Sequence, residues 1–334
     1  MALAALDLSR EVTPFPGTPI GEDRSWVAAD VADEDWLVTL GPDALAEVRQ
    51  MADQMARQPL PVILRSRDEF KLKALRALAG RAKAIMDEGR GFVVLDRLPM
   101  DDYPEEVMLG CFWVIGQFFG LPVAQKWDGT VLYDVTDTGK AWQYGVRGSA
   151  TNVELVFHVD NAFGVRPPDY VGLLCKHPAL EGGLSRFCSL YTLHNRLLAE
   201  CPELLQRLYE PMYYDRQAEH APDAPKTSWA PFFALQDGRF AVRANVSLVR
   251  NGYKVAGVEM DETLAAALEA VERISRSDDL WYEAPIERGQ MQYLNNRHLG
   301  HYRSEFHDNP DPALKRHLFR TWHRNSGSRA YDGG

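Results

Sequence analysis

The spacing of apolar positions divides the chain into a helical first third and a strand-rich remainder. Residues 42–58, "PDALAEVRQMADQMARQ", repeat apolar side chains every three or four positions behind a proline, which predicts a helix. Residues 66–89 predict a longer amphipathic helix, opened by Ser66 with Glu69 three positions on and closed by Gly89. "GFVVLDRLP" then reads as a buried strand. "DDYPEEVMLGCFWVIGQFFG" reads as a helix whose aromatic face belongs to a core.

From about Thr130 the pattern changes to short apolar runs separated by turn residues. Strands are expected at "TVLYDV", "VELVFHV", "YVGLLCKH", "LSRFCSL", "PFFALQ", "RFAVRA", "LWYEAP", "GQMQYLNN" and "KRHLFRTWH". Asp237-Gly238 between two such runs predicts a hairpin. Helices interrupt at "YTLHNRLLAE", "CPELLQRLYE" and "DETLAAALEAVERISR". "MYYDRQAEHAPDAPKTSWAPFF" reads as a long polar loop, and Tyr213 to Trp229 is expected to cover a substrate. Many short strands with few helices point to a mixed α/β chain with a mainly β core, a sandwich or jelly roll rather than a doubly wound sheet. No glycine-rich phosphate loop occurs. The first forty residues, rich in Pro, Gly and Asp, read as an irregular arm. The expected division is an arm with helices over residues 1–90, packed on a core over 91–334 as one structural unit.

Composition narrows the partners. A length of 334 residues can bury a large core, and a net charge of -10 argues against nucleic acid or an anionic membrane. No apolar run is long enough to span a bilayer, and the first residues lack a basic start followed by a long apolar stretch. The four cysteines form no C-x-x-C pair and read as buried thiols of a reducing compartment. The expected location is therefore cytoplasmic. The helical first third offers surfaces for association into a homo-oligomer.

The candidate chemistry begins in "VELVFHVD". In a strand, side chains alternate between faces, so Glu154, Val156, His158 and Asp160 share one face and Val153, Leu155, Phe157 and Val159 the other. His158 and Asp160 would then project together as two ligands to one metal ion, or form a buried His–Asp hydrogen bond. "YLNNRHLGHYRSEF" offers His298 or His301 as a third ligand. Two histidines and a carboxylate, with the remaining positions open, suit a non-haem Fe(II) that must also bind a chelating cosubstrate and dioxygen. In "KRHLFRTWHR", Arg316, Leu318, Arg320 and Trp322 share a face. Two inward arginines are costly without anions, and Arg is a planar clamp for carboxylates, so a cosubstrate and a substrate each carrying an anionic group are implied. A zinc hydrolase on the same three ligands and a non-catalytic jelly-roll module binding a sugar or peptide stay open on this pattern.

These motifs, in order, resemble the taurine dioxygenase family within the clavaminate synthase-like Fe(II)/2-oxoglutarate-dependent oxygenases. The resemblance runs from about Gly91 to Arg324 through "GFVVLDRLP", "QKWDGTVLYDV", "RGSATNVELVFHVD", "HPALEGGLSRFCS" and "NNRHLGHYRSEFHDNPDPALKRHLFRTW". It implies a double-stranded β-helix (jelly roll) with flanking helices. It further implies His158, Asp160 and His301 as iron ligands, with His301 rather than His298 as the third. Arg316 and Ser185 would hold the distal carboxylate of 2-oxoglutarate. Arg320 would contact an acidic group on the substrate, and Asn152, Glu154 and Arg147 would line its pocket. The implied reaction consumes O2 and 2-oxoglutarate, gives succinate and CO2, and hydroxylates an unactivated C–H of a small carboxylate-bearing metabolite such as an amino acid. Asp160 sets the chain apart from halogenases of this type, which lack the carboxylate. Desaturation or ring closure stays open, because both begin with the same hydrogen abstraction.

Overall fold

Residues 92–95, Phe-Val-Val-Leu, are apolar without interruption, which alternation forbids unless both faces of a strand are covered. The computed structural model, which describes residues 12–332 apart from 142, 144, 237 and 238, shows how both are covered. Phe92 and Val94 face a core shared with a second sheet, and Val93 and Leu95 face a core shared with helices.

The strands are β1 (Val12–Thr13), β2 (Leu37–Thr39), β3 (Phe92–Asp96), β4 (Leu121–Val123), β5 (Leu132–Val135), β6 (Leu155–His158), β7 (Tyr170–His177), β8 (Glu181–Gly182) and β9 (Ser185–Ser189). They continue as β10 (Pro211–Asp215), β11 (Thr227–Pro231), β12 (Phe233–Gln236), β13 (Arg239–Val242), β14 (Trp281–Glu283), β15 (Met291–Asn295), β16 (Leu299–Arg303), β17 (Phe306–His307) and β18 (His317–Arg324). The helices are α1 (Pro42–Arg57), α2 (Lys73–Glu88), α3 (Glu105–Gly116), α4 (Leu190–Glu200), α5 (Pro202–Arg207), α6 (Val246–Ala256) and α7 (Glu262–Ser275).

The larger sheet runs β2-β3-β15-β7-β18-β4, with β5 also on β18, and the smaller runs β14-β9-β16-β6. Every pairing in them is antiparallel except β2 with β3. The sheets meet where Phe92 of β3 stacks on Phe187 of β9, ring centroids 4.2 Å apart. Helices α1 to α3 close the opposite face of the larger sheet, packing Met51, Leu78 and Phe112 with Val93, Tyr293 and Phe319. Among the described residues no helix is long and apolar enough to cross a membrane.

Several expectations change. The Ser66–Glu69 capping box forms but closes only a single 3-10 turn, Arg67–Glu69, and α2 begins at Lys73. Its exposed N–H groups are met from another helix: the Glu47 carboxylate of α1 accepts from Ala74 N (2.8 Å) and Leu75 N (2.9 Å). Tertiary capping therefore sets the start of α2. The polar stretch after residue 210 is not a loop throughout, because β10 and β11 pair along five residues each and only its tip is irregular. Helix α6, absent from the sequence reading, rests on β10. Its Gly252 is needed there, since a Cβ would stand 2.5 Å from the Tyr213 carbonyl oxygen. The strands flanking Asp237-Gly238 do pair antiparallel, while those two turn residues, like residues 1–11 of the arm, lie outside the described residues.

Replacing Glu47 with alanine should lower stability by about 1–2 kcal/mol, the scale of a lost helix cap. Urea unfolding should show a lower midpoint at unchanged slope, and an unaltered midpoint would mean the cap is dispensable.

Candidate active site

Strand β16 pairs with β6 so that His301 lies directly opposite His158, and their rings are 4.2 Å apart. Asp160 follows from the turn after β6 rather than from the strand itself. Val159 N leaves the sheet to donate to Ala244 O, and Asn161 takes a left-handed conformation (φ 55°). The three side chains still converge, with one ligand atom of each within 4.8 Å of the others. Asp160 Oδ1 is 3.7 Å from His158 Nε2 and 3.5 Å from His301 Nε2. Both separations exceed the usual length of a His–carboxylate hydrogen bond, about 2.7–3.2 Å, and leave room for an ion among the three atoms. The donor set of two imidazoles and one carboxylate fits non-haem iron.

The surroundings orient this set. Val156 O lies 2.8 Å from His158 Nδ1 and accepts its proton, which turns the Nε2 lone pair toward the centre. Burial, with the neighbouring His158, pushes the His301 pKa down to about 4, so its ring is neutral and can ligate. Burial alone would raise the Asp160 carboxyl, but the charge of Arg320, with His158 and His301, holds it well below the usual carboxylate range. Asp160 Oδ2 accepts from Trp322 Nε1 (2.8 Å) and pairs with Arg320 Nη1 (3.1 Å), leaving Oδ1 to the centre. Asn296, in the "NNR" turn after β15, holds the Asp160 backbone at both ends. Its Oδ1 accepts from Asp160 N (2.7 Å), and its Nδ2 donates to Asp160 O (2.9 Å).

A second cluster lies along the same sheet. Arg316 is buried just before β18, where a bulge between His317 and Leu318 shifts the register. Burial pushes its pKa down to about 10. The Gly182-Gly183 bend lets its side chain pass, since a Cβ on Gly183 would stand 2.9 Å from Arg316 Nε. Ser185 opens β9, buried, directly opposite Arg303 of β16. Arg303 escaped the sequence reading. Alternation along "HYR" places it on the same strand face as His301, and that was the available signal.

The model of the family described as "Taurine catabolism dioxygenase TauD, TfdA family" matches residues 56–322. The chain belongs to the TauD/TfdA dioxygenase family. It is thus an enzyme, an oxidoreductase. FR-33289 synthase of Streptomyces rubellomurinus is 27% identical over 313 residues, covering 91% of this chain and 90% of that protein. The taurine hydroxylase-like protein SAT17 of Stachybotrys chartarum is 26% identical over 330 residues, covering 94% and 82%. An asparagine oxygenase solved with Fe(II), 2S,3S-3-hydroxyasparagine and succinate has a TM-score of 0.65 at 20% identity, covering 87% of this chain and 94% of that one. The non-haem iron oxygenase OrfP, solved with Fe and alpha-ketoglutaric acid, has a TM-score of 0.62 at 16% identity, with the same coverage. Both structures share the fold.

In this TauD/TfdA member a cavity of about 260 Å³ opens beside the three convergent side chains, lined among others by His158, Asp160, Arg320, Arg147, Glu154 and Gln217. Arg320 is committed on one side, donating from Nε to Gln125 Oε1 (2.8 Å) as well as pairing with Asp160. Arg147 pairs with Glu219 at 2.8 Å and donates to Gln125 O, so it fastens the tip of the β10–β11 hairpin to the cavity wall. Glu154 is exposed at the rim and accepts from Tyr302 Oη. Asn152 is not among the lining residues and donates instead to Phe306 O at 3.5 Å. His298 stays away from the centre, buried beside Tyr191 with ring centroids 5.4 Å apart.

Trp322→Phe keeps the ring packing but removes the donor to Asp160 Oδ2. Metal affinity should fall by about tenfold, the lower end of the range for lost outer hydrogen bonds to a ligand. Titration with Co(II) followed by absorbance checks this, and an unchanged affinity would remove Trp322 from the ligand's support.

Proposed function

We propose that the chain is an Fe(II)/2-oxoglutarate-dependent oxygenase that hydroxylates an unactivated C–H bond of a small carboxylate-bearing metabolite, an amino acid or an amino acid derivative. The convergence of His158, Asp160 and His301 beside a cavity that His158 and Asp160 line, in a chain of this dioxygenase family, carries the reading. Bound Fe(II) supplies dioxygen activation coupled to oxidative decarboxylation of 2-oxoglutarate, which gives succinate and CO2.

The protein's own contribution is position and charge. His158, Asp160 and His301 would hold the ion, and a set of two imidazoles and one carboxylate would leave positions for cosubstrate and O2. Arg316, with Ser185, holds the distal carboxylate of 2-oxoglutarate in a buried site, where a charge-assisted pair is strong. Arg320 and Arg147, each already paired with a carboxylate, line the cavity wall where an anionic or zwitterionic substrate would meet them, with Glu154 at the rim and Asn152 supporting the Phe306 backbone behind it. The tip of the β10–β11 hairpin carries Gln217 into the cavity and covers the substrate. Holding one C–H bond against the iron is the main catalytic task left to the cavity. Hydroxylated amino acids in the solved asparagine oxygenase and OrfP structures support this substrate class. We read the two facing sheets as a double-stranded β-helix, with the described residues up to 90 packed on the described remainder as one structural unit, in a cytoplasmic protein.

Anaerobic loading with Fe(II), then 2-oxoglutarate, O2 and a panel of amino acids, should release succinate in a substrate-stimulated manner. Mass spectrometry should show a product heavier by one oxygen. A product lighter by two hydrogens would instead assign desaturation or cyclisation, and no 2-oxoglutarate binding with no turnover would overturn the reading. His301→Ala should lose metal binding and succinate release together. Arg316→Gln should raise the KM for 2-oxoglutarate by about tenfold or more, as expected for loss of a buried charge-assisted pair.

A further inference from the structure

Arg303 is as buried as the residues of the core, 6% exposed, yet its guanidinium is only partly used. One Nη2 bond goes to Val153 O, which ties β16 to the segment before β6. Nε and Nη1 have no hydrogen-bond partner, and neither has Arg316 Nη1. Both guanidiniums border the same ring, with carbon Cζ at 4.8 Å from the Phe306 centroid for Arg303 and 5.0 Å for Arg316. Two like charges are therefore held close together in the interior, with donors left over on both. Asp308 is near, but its Oδ1 is taken by the Arg316 backbone N–H. Leaving buried guanidinium donors unmatched is among the costlier arrangements a protein can adopt, and an anion accepting from both removes the cost.

Resting on the 2-oxoglutarate reading above, we propose that Arg303 is a second binding residue for the distal carboxylate of the cosubstrate, so that the carboxylate is gripped from both sides by Arg303 and Arg316. Strand geometry puts it in the right place. Arg303 follows His301 by two residues on the same face, about 6.6 Å further along the strand. That spacing suits a cosubstrate whose oxo-acid end chelates the ion and whose other end lies two methylenes away. Ser185, directly across the β9–β16 pair, adds a hydroxyl at the same level. The second arginine makes the site selective for an anionic terminus: a 2-oxo acid of similar length with an apolar end would leave both guanidiniums buried and unpaired.

The test compares 2-oxoglutarate with 2-oxohexanoate, which keeps the chelating end and replaces the distal carboxylate by an alkyl tail. Binding of each to the Co(II)-loaded full chain is measured by calorimetry for wild type, Arg303→Gln and Arg303→Lys. Arg303→Gln should weaken 2-oxoglutarate by about tenfold or more while leaving 2-oxohexanoate within about twofold of wild type. Arg303→Lys, which keeps the charge but not the fork, should fall between the two proteins for 2-oxoglutarate. Equal weakening of both oxo acids would make Arg303 a structural brace for Val153, and undiminished 2-oxoglutarate binding in both variants would remove it from the site. If wild type itself fails to bind 2-oxoglutarate, the cosubstrate reading falls first and the role of Arg303 with it. If wild type binds and the variants bind alike, only the role of Arg303 falls.

Discussion

A buried carboxylate surrounded by cations and donors organises this molecule. Asp160 sits between the sheets with 7% of its surface exposed, and burial by itself would neutralise it. Arg320 and Trp322, both from β18 of the larger sheet, take one of its oxygens. His158 and His301, from adjacent strands of the smaller sheet, stand around the other. The carboxylate therefore joins the two sheets through polar contacts, as Phe92 and Phe187 join them through an apolar one. A buried charge remains stable only while every partner stays in position, so the site and the packing of the sheets depend on one another.

The smaller sheet shows how the chain accommodates so many polar groups in its interior. On β16 the inward positions are Leu299, His301 and Arg303, passing from apolar core to proposed metal ligand to buried cation within five residues. Opposite them β9 contributes Ser189, Phe187 and Ser185. One end of the sheet is thus a hydrophobic core and the other a charged socket. The glycines at 182 and 183 belong to the socket end, where a side chain would collide with the Glu305 carbonyl or with Arg316. The helices of the first third contribute to the site indirectly, by covering the other face of the larger sheet and so fixing β18, which carries Arg320 and Trp322 and follows directly on Arg316.

The hairpin of β10 and β11 links this scaffold to the cavity. Its strands are pinned by α6, and its tip is fastened by Glu219, which pairs with Arg147 and accepts from Trp127 N at 2.8 Å. A segment that reads as a polar loop is in fact a pair of strands around an irregular tip. The reason is local: paired strands satisfy their own N–H and C=O groups, so they need few apolar residues to persist once a helix covers one side.

What the sequence by itself determined is the set of periodic elements and the chemistry of its residues. The long apolar runs at 92–95 and 170–175, the alternation in "VFHVD" and the arginines of "RHLFR" announce covered strands and an inward polar face, because side-chain direction in a strand follows from backbone geometry alone. Strand pairing is a different matter. That His301 rather than His298 faces His158 is implied by family resemblance but produced by the register of β16 on β6. Arg303 enters the charged socket because the register of β16 on β9 sets it opposite Ser185. The start of α2 is likewise decided by a carboxylate from α1 and not by the capping box written at Ser66. These are contacts between residues far apart in sequence, whose free energies exceed local propensities of a few tenths of a kcal/mol to about 1 kcal/mol. Only the tertiary structure could decide them.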